Sequence, residues 1–145
     1  MPEAALVANL AATWMMVGVI WFVQRVHYPL LALVGTERAS RVALQHQSRT
    51  AQVVAVPMAI EGVSTLILLV DRPAAVNWAL PWCAAVLLAV ALCCTVLLSV
   101  PLHTQMAAAP TTATGQRLVR TNWPRTIAWT TRGALVAIMA VQAWA

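Results

Sequence analysis

The sequence predicts an all-α protein: a four-helix transmembrane bundle with both termini on the outer, periplasmic side. Three observations carry that expectation. Of the 145 residues, 61% are hydrophobic and 9% charged, too few charges to wet the surface of a soluble domain. Apolar runs at roughly 6–26, 53–70, 78–100 and 127–145 each approach the ~20 helical residues that cross a bilayer. The arginines then orient them. Arg25, Arg38, Arg41 and Arg49 lie in or beside the first connection, and Arg117, Arg120 and Arg125 in the third, while the second, "DRPAAVN", balances Arg72 against Asp71. The positive-inside rule places connections one and three in the cytoplasm. A single multi-pass domain of a bacterial inner membrane is expected, with the lipid bilayer as its first partner.

Each element has its own warrant. The first run opens "MPEAAL", without a basic n-region, and is too long for the apolar stretch of a cleaved signal peptide. Residues 36–52, "TERASRVALQHQSRTAQ", are polar but good helix formers, so they read as a helix running into the second span, which Pro73 ends. The third run holds Cys83, Cys93 and Cys94 without a CxxC motif, which favours packing over disulfides or zinc. Residues 107–116, "AAAPTTATGQ", read as a loop. Thr121 and Asn122 can cap the fourth helix, and Pro124 suits its first turn. Trp14, Trp21, Trp78, Trp82 and Trp144 belong to interfacial belts. The basic balance comes from short loops rather than a patch, so nucleic acid is not an expected partner, and the lack of lysine reflects genome composition.

Polar side chains in lipid turn inward, because an unsatisfied polar group in hydrocarbon costs several kcal/mol. Helical spacing places Asn9, Thr13, Met16, Gln24 and His27 on one stripe of the first helix. His46, Thr50, Pro57, Glu61 and Ser64 share a stripe on the second, Thr95, Ser99 and His103 on the third, and Asn122, Arg125, Trp129 and Arg132 on the fourth. Counting down from the outer edge at a rise of ~1.5 Å per residue, His27, His46 and His103 lie about 33–37 Å deep, at one cytoplasmic level on three helices. On the same count Glu61 is ~15 Å and Arg132 ~20 Å deep. An unpaired charge there is costly, so Arg132 is expected to pair with Glu61.

Three histidines with a carboxylate are the ligand set of many transition-metal sites. His27, His46 and His103 are therefore candidate ligands for iron, copper or zinc, with Glu61 as a further ligand or proton acceptor. The lack of HExxH and ExxH disfavours a ferritin-type site, while two of the histidines could hold a haem axially. Arg125 and Arg132 are candidates to orient a small apolar or anionic substrate, with Asn122 and Trp129 lining its cavity, and Arg49, Arg125 and Arg132 could alternatively bind an anionic head group or a quinone carbonyl. The leading expectation is thus a metal-binding, oxidoreductase-like protein acting at the cytoplasmic side. The alternative is a non-catalytic subunit or assembly partner of a larger membrane complex, or an oligomer, in which the polar stripe serves packing. A small transporter using Glu61 as a proton site is the third reading.

The motifs "VHYP" (26–29), "HQSR" (46–49), "PMAIE" (57–61), "VPLH" (100–103) and "NWPRTIAWTTR" (122–132) together resemble a group of short, uncharacterised bacterial four-span membrane proteins. The layout over most of the chain, with a proline at the exit of the third helix and Asn, Arg and Trp at the start of the fourth, is also similar to the anthrone-oxygenase-like membrane family. That second resemblance implies oxidative chemistry on a small apolar substrate and assigns no residue a role.

Overall fold

The protein is described by a computed structural model covering residues 1–33 and 36–145. Every regular element among these residues is helical. Helix α1 (Pro2–Phe22), a π turn (Val23–His27) and α2 (Tyr28–Ala32) form one rod, and α3 (Thr36–Val70) forms the second. The third comprises α4 (Ala79–Cys94), a π turn (Thr95–Ser99) and α5 (Val100–Ala108); a short α6 (Thr112–Thr121) then leads into α7 (Trp123–Trp144). Helix α1 packs on α3 and α7, and α7 packs on α4. Helices α1 and α7 are packed tightly at Gly133, where a Cβ would meet Val17 Cγ2 at 3.2 Å.

The helix expected over 36–52 is present as the first half of α3. Three rods, Pro2–Leu31, Arg38–Val70 and Ala79–Ala108, are long and apolar enough to cross a membrane. Helix α7, over the expected fourth run, is not among the three. It has the length, at 22 residues, but Arg125, Thr126, Thr130, Thr131 and Arg132 lower the apolar content of its first half. It buries Thr126, Trp129 and Arg132 against its neighbours, so its composition answers to protein as well as to its surroundings.

Two local expectations also change. The loop over 107–116 shrinks to 109–111, because Thr111 caps α6: its Oγ1 accepts the Thr114 N–H at 3.1 Å. Helix α6 buries Gly115 and Leu118 and exposes Arg117 and Arg120. Asn122, in turn, makes no side-chain cap on α7 and sits between α6 and α7 with helical φ and ψ. Its amide is used elsewhere.

The π turns have an identifiable cause. Pro29 and Pro101 have no N–H to offer the carbonyls four residues back, and each follows a widened turn in which an amide reaches five residues back instead. Tyr28 N–H bonds Val23 O, and Val100 N–H bonds Thr95 O. One extra residue in a turn rotates everything after it by about 100°. In the first rod this turns Tyr28 inward, leaving His27 half-buried beside it.

The interior is layered. Ala5, Leu6, Leu68, Val136 and Met139 pack one end, Met16, Val17, Ile20, Ala91 and Trp129 the middle, and Tyr28, Leu31, Ala43, Leu102, Met106 and Leu118 the other end. Polar side chains lie between these layers, whereas Val7, Phe22, Val63, Leu66, Val86, Leu97 and Val141 point outward. Such a surface is unfavourable in water and suited to hydrocarbon.

Candidate functional site

Two buried polar networks occupy the boundaries between apolar layers. The first joins four helices around Glu61 and Arg132, both fully buried. Arg132 Nε donates to Glu61 Oε1 at 2.7 Å, and its other nitrogens donate to Asn9 Oδ1, Thr65 Oγ1 and the Ala84 carbonyl. Glu61 also accepts from Thr13 Oγ1 at 2.9 Å and from Trp129 Nε1 at 3.1 Å. The Asn9 amide closes the network on Ser64, Thr65 and the Glu61 carbonyl. Both charged groups are thereby neutralised and hydrogen-bonded, the condition under which a buried ion pair is tolerated. The arrangement is saturated and holds helices together; none of the Glu61 carboxylate's bonds leads to a histidine.

The second network is built on Gln24, in the first π turn, and Asn122. Asn122 Nδ2 donates to Gln24 Oε1 at 2.8 Å, and Gln24 Nε2 donates to the Val119 carbonyl at 3.1 Å. Arg125 Nη1 donates to Ser99 Oγ at 2.9 Å and Asn122 Oδ1 at 3.1 Å, and its guanidinium lies 5.5 Å from the Trp129 ring centroid. Trp129 thus touches both networks, bonding to Glu61 on one side and stacking under Arg125 on the other.

Beside this second network the three histidines meet, from three helical rods. His27 and His46 stack with centroids 4.1 Å apart, and His46 and His103 lie 5.0 Å apart. Tyr28, the only tyrosine, bonds through its hydroxyl to His103 Nε2 at 2.8 Å, and His46 Nδ1 pairs with Thr50 Oγ1 at 3.0 Å. A cavity of 240 Å³ opens here, with Tyr28, His46, Gln47, Thr50, Thr95, Ser99, His103 and Arg125 as its polar lining. Met16, Val19, Ile20, Val54 and Met58 supply apolar walls. The volume lies below the range of about 300–1,000 Å³ typical of drug-sized ligands, so it suits a small molecule.

No family model matches this chain, and neither does any curated protein or solved structure. The site is therefore read from its own chemistry.

The decisive feature is what lacks a partner. Among the described residues, four buried side-chain polar atoms have none: His27 Nε2, Gln47 Nε2, His103 Nδ1 and Arg125 Nε. Gln47, His103 and Arg125 all line the cavity. Gln47 Nε2 and Arg125 Nε are donors, and when Tyr28 donates to His103 Nε2, neutral His103 carries its proton on Nδ1 and is a third. Buried donors without acceptors cost about 1–3 kcal/mol each, and these three belong to side chains that line one cavity.

Sequence-level candidates separate accordingly. His27, His46, His103 and Arg125 come together, whereas Glu61 and Arg132 form the structural network, away from the histidine bonds. Asn122 positions Arg125 and is not part of the cavity lining; Trp129 is not part of it either, because its ring is buried between the two networks. Among the described residues no group of three or more His, Cys, Asp or Glu side chains is disposed to hold a metal ion. The rings of His27 and His46 are stacked, with planes inclined by only 22°, and in-plane lone pairs of two such rings do not converge on one centre. Tyr28 and Gln47 were not singled out from sequence. Tyr28 had one signal, as the lone tyrosine next to His27 and before a proline.

Proposed function

We propose that the protein crosses the bacterial inner membrane four times with both termini outside, and that its cavity, on the cytoplasmic side, binds a small apolar molecule through one carbonyl or anionic oxygen. The three unpartnered donors of Gln47, His103 and Arg125 are the observation that carries this reading. Arg125 supplies the charge, held in place by Ser99, Asn122 and the Trp129 face. Gln47 and His103 supply directed hydrogen bonds, and the apolar walls accept the rest of the molecule. The Tyr28–His103 pair gives the site a proton relay: His103 can take a proton from the tyrosine side while Nδ1 delivers one to a bound oxygen. Proton movement at a carbonyl or enol oxygen changes no oxidation state by itself; an oxidoreductase-like reaction on such a molecule would also need an electron acceptor, such as the metal considered below, and the resemblance of layout to the anthrone-oxygenase-like family points the same way.

The test uses 1-hydroxy-2-naphthoate, a bicyclic acid whose absorption overlaps tryptophan emission, with the protein in phosphatidylcholine nanodiscs. Saturable quenching is expected, and Arg125→Met should weaken it at least about tenfold, or about 1.4 kcal/mol. Unchanged affinity in a folded Arg125→Met variant would overturn the assignment.

The meeting of three histidines from three rods favours a second reading, in which His27, His46 and His103 hold iron or copper that serves as the electron acceptor. It requires the His27 ring to turn out of its stack. Elemental analysis and an absorption spectrum of the purified protein decide it.

A further inference from the structure

A second, more open cavity lies against the first. Its volume is 420 Å³, and it runs along the outer surface between the first rod and α3. Val19, Val23, His46 and Thr50 line both cavities, so only side chains separate them. Gly18 and Val53 line the groove, and Phe22 flanks it; all three are exposed on the surface that faces outward. A Cβ built on Gly18 meets nothing within 4 Å, which shows that this stretch of α1 leaves real space. Arg49 and His27 also line the groove. On a rise of ~1.5 Å per residue, Gly18 lies about 20 Å and Arg49 about 33 Å below the outer edge. The groove therefore runs from head-group level on the cytoplasmic side toward the middle of the hydrocarbon.

We propose that this groove is the lateral entrance through which the cavity's ligand arrives from the inner leaflet, with His46 as the gate between groove and cavity. The inference rests on the binding role proposed for the cavity. Its occupant is the same molecule, an apolar body with one anionic or carbonyl oxygen, and the charges are ordered to suit it. Arg49 meets the oxygen at head-group level while the apolar body slides past Gly18, Phe22 and Val53. Beyond His46 wait the unpartnered donors of Gln47 and Arg125. His46 is suited to gating because it lines both cavities and its ring makes a single hydrogen bond, to Thr50, the rest of its hold being ring packing on His27, Tyr28 and His103. The π turn that carries Val23 and His27 forms the adjoining wall, and such turns lack the regular ladder that stiffens a helix.

An entrance alters rates without altering affinity, and that separates it from a binding site. Stopped-flow tryptophan quenching by 1-hydroxy-2-naphthoate in phosphatidylcholine nanodiscs gives both rate constants. Gly18→Leu fills the groove from α1, where there is room for the side chain, and Val53→Phe fills it from α3 should the first variant fail to fold. In either, association and dissociation should slow together by about tenfold, with the dissociation constant unchanged within about twofold. Val86→Phe, on the outward face of α4, should change neither rate. An unaltered association rate in the folded groove variants would overturn the proposal. Faster dissociation with weaker affinity would overturn it too, by making the groove part of the resting site. Failure of the unsubstituted protein to bind the probe would instead remove the reading of the cavity, and the entrance with it.

Discussion

Glu61 and Arg132 offer the most quantitative check on how this bundle is held together. Replacing Glu61 with Gln keeps the shape of the side chain but leaves Arg132 as a buried cation with only neutral acceptors on Asn9, Thr65 and Ala84. Breaking a buried pair from one side costs about 3–5 kcal/mol, and a guanidinium cannot shed its proton to escape, so about 4 kcal/mol is expected. Arg132→Met keeps much of the length and removes four donated hydrogen bonds. The carboxyl left behind keeps the Thr13 and Trp129 donors and can be neutralised by protonation, so the cost should be lower, about 3 kcal/mol. Independent effects would then sum to about 7 kcal/mol. Because the double variant buries no net charge, it should recover about 2–3 kcal/mol and lie near 4–5 kcal/mol. The assay is equilibrium unfolding in mixed dodecyl-sulfate micelles followed by far-UV circular dichroism. A double variant within about 0.5 kcal/mol of the sum would refute the argument, since directly bonded partners must couple.

Gly133→Val should lower stability by about 1–3 kcal/mol in the same assay, because Val17 Cγ2 and the Trp14 ring already stand at contact distance from a single added Cβ. An alkaline phosphatase fused after Ala145 should be active in the periplasm; cytoplasmic activity of a reporter at that position would reverse the orientation inferred from the arginines. If the histidines hold a metal, replacing any one of His27, His46 or His103 with Ala should reduce bound metal by about tenfold or more by elemental analysis, and full retention in all three variants would leave them as part of the ligand cavity alone.

Much of this arrangement was legible along the chain because helices are rigid rulers. A fixed rise per residue put Arg132 and Glu61 within reach of each other, and Glu61 was the sole acidic residue at a compatible depth, so their pairing followed from spacing and the cost of a lone charge. The same arithmetic brought His27, His46 and His103 to one level, and the helix over 36–52 followed from its composition. Spacing along one helix, however, cannot register a turn that gains a residue. Pro29 and Pro101 each withhold an N–H from their rod, but that the result would be a π turn that swings Tyr28 onto His103 depended on what the rest of the rod packed against. Asn122 carried the signature of a helix cap, yet Gln24, which lies far away in sequence, offered its amide a buried partner that a cap could not. Trp129 had the spacing of a cavity wall, and the neighbouring rods instead closed around it between Glu61 and Arg125. The cavity itself is the volume left after all rods have packed, and its unpartnered donors are those that no neighbouring helix reached. Residue type and periodicity determine which groups must turn inward; which of them meet, and which remain unsatisfied, is decided by the relative placement of helices distant in sequence.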